Sequence, residues 1–182
     1  MVDLSSIHEA AILNGLTEPD LEKLGAIAYE KETRKGEQLF SRGTDADTFY
    51  IVKEGRFSLT ILLRVLDGEV EAAIEEIVAG GGLGWSALVE PHESIYSAYC
   101  TEDGSVAALP RDAMKALMSS EEGLGHRFSR NVGELVGNRV RVLQDLWIQE
   151  VQQSMLRVSF WTHTKTSMDW ETAVRPPRKH GS

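Results

Sequence analysis

With 182 residues, 42% of them hydrophobic and 26% charged, the chain has the make-up of a globular protein with one substantial core and an extension. A net charge of −9 repels phosphodiester backbones, so no direct nucleic-acid contact is expected, and Arg175, Arg178, Lys179 and His180 around Pro176-Pro177 read as a solvated tail. The lone Cys100 excludes an internal disulfide, no apolar run is long enough to span a membrane, and the N-terminus lacks a basic secretory leader. A cytoplasmic protein with no membrane contact is expected.

In chain order, residues 4–28 are helical in pattern, with Ile7, Ala11 and Ile12 on one face and a break at Asn14-Gly15. Thr17 then reads as an N-cap with Pro19 inside the first turn, opening a second helix through Leu21, Leu24 and Ile27. Beyond Thr33 the period drops to two. A short strand at 38–40, a polar loop at 42–47, a strand at 49–52 ending at Glu54-Gly55 and a longer strand at 57–66 follow. Asp67-Gly68 is a hairpin signal, 70–78 its return strand, and Gly80-Gly81-Gly82 the end of that strand. Residues 85–89 read as one helical turn, and 95–101 as a strand that Asp103-Gly104 turns into 105–109.

Short strands punctuated by glycine turns between terminal helices argue for a small β-roll or barrel, an α+β fold. Pro110-Arg111-Asp112 opens a helix over 113–118, and a long helix is expected over about 124–159. Its apolar positions Val136, Val140, Leu143, Trp147, Val151, Met155 and Val158 step by three or four, forming a stripe. The domain is accordingly placed at 1–159 and a tail at 160–182.

Four stretches within about residues 6–158 carry a family resemblance. Leu16-Thr17-Glu18-Pro19-Asp20-Leu21 is similar to an opening helix, and Lys35-Gly36-Glu37-Gln38-Leu39-Phe40 to the strand and loop that follow it. Phe49-Tyr50-Ile51-Val52-Lys53-Glu54-Gly55-Arg56 is similar to a glycine-arginine turn between strands, and Leu83-Gly84-Trp85-Ser86-Ala87-Leu88 stands where a phosphate-binding cassette belongs. Together they resemble the cyclic-nucleotide-binding domain of the catabolite activator protein and of protein kinase A regulatory subunits. The resemblance implies a jelly-roll-like β-roll with N-terminal helices and a long C-terminal helix.

It also implies where a ligand would sit. A glycine turn leading into a short helix presents N–H groups to a phosphate. In the family a glutamate after the glycine holds the ribose hydroxyl, and an arginine further on pairs with the cyclic phosphate. Here Gly82 and Gly84 remain, but Trp85 occupies the glutamate position and Tyr96, before Ser97-Ala98, the arginine position. A sheltered arginine–phosphate pair contributes about 1.5–3 kcal/mol, so tight conventional binding of cAMP or cGMP is not expected, and no cofactor is expected. Two readings of the pocket stay open: Trp85 and Tyr96 fill it with Ser86 and Ala87 around them, or they line it for another, aromatic effector.

Neither a catalytic motif nor ligand spacing around His92, Cys100 or His126 is present, so neither an enzyme nor a metal site is expected. Residues 160–182 are too few for a helix-turn-helix module, so output is expected through protein contacts. The resemblance implies a homodimer, or a heterologous partner, along Val140, Leu143, Trp147 and Val151. Trp161 and Trp170 read either as anchors of a docking tail or as rings folded back on the roll. The function expected is that of a regulatory adaptor in signal transduction, with a small-ligand sensor, binding a cyclic nucleotide or another, aromatic effector in the β-roll pocket, as the alternative.

Overall fold

The computed structural model describes residues 2–7, 10–65 and 68–161, with side chains described as far as Met155. Residues Met1–Arg141 form one compact unit, and a second begins at Val142. In the first unit, two 3-10 turns at Ser5–Ile7 and Ala11–Leu13 precede helix α1 (Glu18–Ile27). Among the described residues six strands follow: β1 (Tyr29–Thr33), β2 (Gln38–Phe40), β3 (Thr48–Val65), β4 (Gly68–Val78), β5 (Gly82–Leu83) and β6 (Ser97–Pro110). Helix α2 (Arg111–Ser120) then leads into α3 (Glu122–Trp161).

All the pairings are antiparallel, in the order β1-β6-β3-β4, with β2 also on β6 and β5 also on β3. The two long strands run side by side from Thr48 opposite Pro110 to Thr60 opposite Ser97, and they form the spine of the roll. Phe49, Ile51, Ala107 and Leu109 point from this spine into a core shared with Leu24 of α1, Met114 of α2, and Leu124 and Phe128 of α3. The period-two alternation of the strands and the three-to-four spacing of the helices meet on that one apolar cluster.

Three sequence expectations need correction. The first stretch, before Asn14, is two 3-10 turns rather than an α-helix. The signals at Glu54-Gly55 and Asp103-Gly104 are not chain-reversing turns, because β3 and β6 each run straight through them. The register shifts between Val52, Glu54, Arg56 and Phe57, so both strands bend together at a bulged corner. There Gly55 has φ +84°, and a Cβ on it would lie 2.6 Å from the Glu102 carbonyl oxygen. A Cβ on Gly104 would overlap the Glu54 carbonyl. Glycine is needed on both strands because their backbones touch. The return strand starts at Gly68, opposite Val65, while the expected turn residue Asp67 lies outside the described residues.

α1 starts as the sequence indicates. The Thr17 N–H donates to Asp20 Oδ2 at 2.9 Å, and Arg127 Nη2 of α3 donates to the same oxygen at 2.6 Å. Burial pushes this carboxyl up, but the Thr17 amide and the Arg127 guanidinium outweigh it and hold Asp20 below the usual carboxylate range. Asp20→Asn is therefore expected to lower stability by about 1–3 kcal/mol at neutral pH. The carboxylate's contribution is complete above its unfolded value of about 4, and it is lost as pH falls through the lower folded value. Urea titrations of both proteins should accordingly converge in acid. A gap that stays constant below pH 4 would show that Asp20 acts through shape rather than charge.

Candidate functional site: the pocket under the Gly84 turn

Gly84 has φ +71° and opens the 3-10 turn Trp85–Leu88, in which the Ala87 N–H donates to the Gly84 carbonyl at 3.0 Å. A Cβ at Gly84 would stand 2.8 Å from the Thr48 carbonyl oxygen, so the close approach of this turn to β3 requires glycine. Gly82 pairs with Ile51 inside β5, where a Cβ would press on the Phe49 ring at 2.9 Å. The turn is held from outside by His92, whose Nδ1 lies 3.2 Å from the Ser86 carbonyl oxygen. On the far side the 42–47 loop is tied down: the Gly43 N–H donates to the Ser94 carbonyl and the Ser94 N–H to that of Thr44.

Of the expected pocket residues, Gly84, Trp85, Ser86 and Tyr96 come together around one small cavity, with Phe40, Leu59, Ser94, Ile95 and Arg139 completing its wall. Ala87 faces the core instead, and Ala98 lies in β6 opposite Leu59. The Ser97 hydroxyl accepts from the Arg42 N–H at 3.1 Å. Tyr96 is buried to 7% exposure and Trp85 is half-buried. Burial pushes the Tyr96 hydroxyl up; the Arg139 charge opposes that shift and Glu75 adds to it. What remains of the cavity is about 10 Å³, roughly the room of one water molecule.

The sequence reading missed Arg139. The resemblance places the arginine position near Tyr96, whereas this one comes from α3. It is 5% exposed, with Nε donating to Glu75 Oε2 at 2.9 Å and Nη2 to the Gly82 carbonyl at 2.7 Å. Arg139 falls seven positions after Val132 and three after Val136, on the face of α3 that packs against the roll. A cation on that inward face was the available signal.

A second hollow lies behind Trp85, an apolar cleft of about 340 Å³ against α3, lined by Leu88, Met118, Phe128, Val132 and Val136 among others. Further along α3, Val140 is 47% and Trp147 68% exposed, whereas Leu143 and Val151 are half-buried. Met155 of the stripe is exposed, and Val142, Leu146 and Ile148 beside it are exposed as well, so the bare apolar surface is broader than the expected stripe. α3 reaches Trp161, whose side chain lies outside the described residues, as does the whole of Trp170. Among the described residues no helix is long and apolar enough to cross a membrane, and no cluster of three His, Cys, Asp or Glu side chains could hold a metal.

The family model of the cyclic nucleotide-binding domain matches residues 30–121, half of the chain. The fold is similar to that of a cyclic nucleotide-binding domain from Methylobacillus flagellatus, at TM-score 0.70 and 17% identity over 81% of this chain and 82% of that one. A candidate cyclic nucleotide-binding protein of Geobacter metallireducens aligns at TM-score 0.65 and 21% identity, over 77% of this chain and 99% of that one. The catabolite activator protein of Thermus thermophilus aligns at TM-score 0.64 and 22% identity, over 78% of this chain and 63% of that one. The chain belongs to the cyclic-nucleotide-binding domain family.

Proposed function

We propose that this chain is a non-enzymatic regulatory adaptor of its family, in which the roll no longer admits a cyclic nucleotide and output runs through protein contacts of α3. One observation carries the reading: only about 10 Å³ is left under the Gly84 turn, where a drug-sized ligand occupies several hundred. Tyr96, buried and at the position the resemblance gives to the arginine, and Trp85, at that of the glutamate, both line what is left, which supports the reading that they fill the pocket. Burial of each ring is favourable without a partner, so the closed form is stable by itself.

Calorimetry with cAMP or cGMP at micromolar concentration is expected to give no saturable isotherm. The variant Trp85→Glu with Tyr96→Arg should gain measurable affinity, because it restores both missing polar anchors and removes two bulky rings. Saturable micromolar binding to the unaltered protein would sink the closed-pocket reading.

The exposed apolar surface of α3 supports the protein-contact half of the proposal, since such surface marks interaction sites. The partner is a second copy of the chain or a heterologous protein, covering Val140, Leu143, Trp147 and Val151. In sedimentation experiments the unaltered protein should be dimeric at tens of micromolar, and Leu143→Asp with Trp147→Asp should leave it monomeric. Charge placed in an apolar seam opposes association by several kcal/mol. An unaltered protein that sediments as a monomer would transfer the surface to a heterologous partner.

A further inference from the structure

His92 is presented at a fixed place. Its backbone is left-handed, at φ +61°, a conformation that a residue with a side chain keeps only where its surroundings impose it. Here they do: its N–H donates to the Val89 carbonyl at 3.0 Å, and its carbonyl accepts from the Ala46 N–H at 2.7 Å. The side chain is 11% exposed. Nδ1 lies 3.2 Å from the Ser86 carbonyl oxygen, which can only accept, so Nδ1 carries a proton. Nε2 lies 2.9 Å from Lys115 Nζ of α2 and 3.1 Å from Glu90 Oε1. These two neighbours make opposite demands. The ammonium can only donate and needs a bare Nε2, whereas the carboxylate can only accept and needs an Nε2–H. One nitrogen meets one demand at a time.

We infer that His92 is a proton-operated switch between the Gly84 turn and α2. Neutral, with its proton on Nδ1, the ring holds the Ser86 carbonyl and Lys115 together and so ties the turn to the helix. Protonated, it keeps Ser86, gives its Nε2–H to Glu90 and repels Lys115 as a like charge. The charged groups that face the ring are Glu90 from its own loop, Lys115 from α2 and Asp45 from the 42–47 loop. Asp45 is forked onto Arg111, at 2.9 and 3.2 Å, so its charge is already matched. The turn and α2 both line the apolar cleft, the one through Trp85 and Leu88 and the other through Met118, so the switch acts on two of its walls. None of this depends on whether the pocket under the turn admits a nucleotide.

The test reads the ring and its two contacts separately, in the full chain. Nitrogen NMR of the histidine rings, with His92 assigned by its loss in His92→Asn, should show a neutral ring protonated on Nδ1 and, in acid, a ring protonated on both nitrogens. Asparagine is chosen because it tolerates the left-handed backbone. Double-mutant cycles by urea unfolding then pair His92→Asn with Lys115→Met and with Glu90→Gln. They are run at about pH 8.5 and about pH 5.5, either side of the ordinary imidazole value of about 6.5. The Lys115 cycle should give a favourable coupling of about threefold in the unfolding equilibrium constant at the higher pH, and none or a repulsive one at the lower. The Glu90 cycle should run the other way, with its coupling at the lower pH only.

A neutral ring with its proton on Nε2 overturns the inference, and so does a Lys115 coupling of equal size at both pH values, which would make the contact one of packing. Absence of coupling in both cycles overturns it as well. Lys115 and Glu90 are exposed, so their variants should fold. Should His92→Asn not fold, one histidine titration should still move to higher pH in Lys115→Met and to lower pH in Glu90→Gln. If no histidine responds in that way, the switch does not exist.

Discussion

Phe128→Ala is expected to lower stability by about 3–5 kcal/mol, which for a domain of this size lowers the melting temperature by roughly 10 °C or more. Phe128 is fully buried and meets Phe49 edge-to-face, with ring centroids 5.9 Å apart and planes at 89°. Phe49 lies in β3 opposite Leu109 of β6, so this ring pair fastens α3 to the spine of the roll. The truncation removes the ring, the edge-to-face contact and part of the wall of the apolar cleft, leaving a hole that close-packed neighbours refill only in part. Phe128→Leu keeps most of the volume and should lose less than half as much. Urea unfolding of the three proteins decides the matter: a loss under about 1 kcal/mol for the alanine variant would mean that α3 is not anchored through this ring.

Gly104→Ala is expected to be at least as damaging, for a different reason. The added methyl would overlap the Glu54 carbonyl, and the adjoining contact is the Gly55 Cα, so nothing flexible can give way. Both strands would have to part at their common bend, breaking ladder hydrogen bonds on either side, and we expect a loss of about 3 kcal/mol or more. Gly133→Ala is the matched control. It sits in α3 with nothing within 4 Å of the added carbon, and it should raise stability by up to about 1 kcal/mol. Equal melting temperatures for the two variants would refute the corner as described.

That corner also shows where the sequence stopped being readable. Glycine beside an acidic residue, as at Glu54-Gly55 and Asp103-Gly104, has the composition of a hairpin turn. The same pairs serve a bend in which two strands touch without reversing. Local chemistry does not separate the cases, because the deciding contact joins residues about fifty positions apart. The Gly84 turn was legible because its requirement is local: a left-handed residue entering a short helical turn. The replacements came from the family resemblance, Trp85 as the residue after that glycine and Tyr96 as the residue before Ser97-Ala98, and both line the one small cavity. Arg139 was not, because its place at the pocket is set by how α3 lies on the roll. Off the axis of the expected stripe on α3, Val142, Leu146 and Ile148 are exposed too, which its three-to-four spacing did not include.

Trp85 is a party wall. It lines both the small cavity under the Gly84 turn and the apolar cleft against α3. A molecule that favours one position of that ring on its own side therefore changes the room available on the other. Thermodynamic reciprocity fixes the exchange: if an occupant of one hollow weakens the other hollow's hold on its own occupant by some factor, the second weakens the hold on the first by the same factor. Two hollows that share one wall would thereby answer to one side chain, and Trp85→Leu should uncouple whatever binds in them.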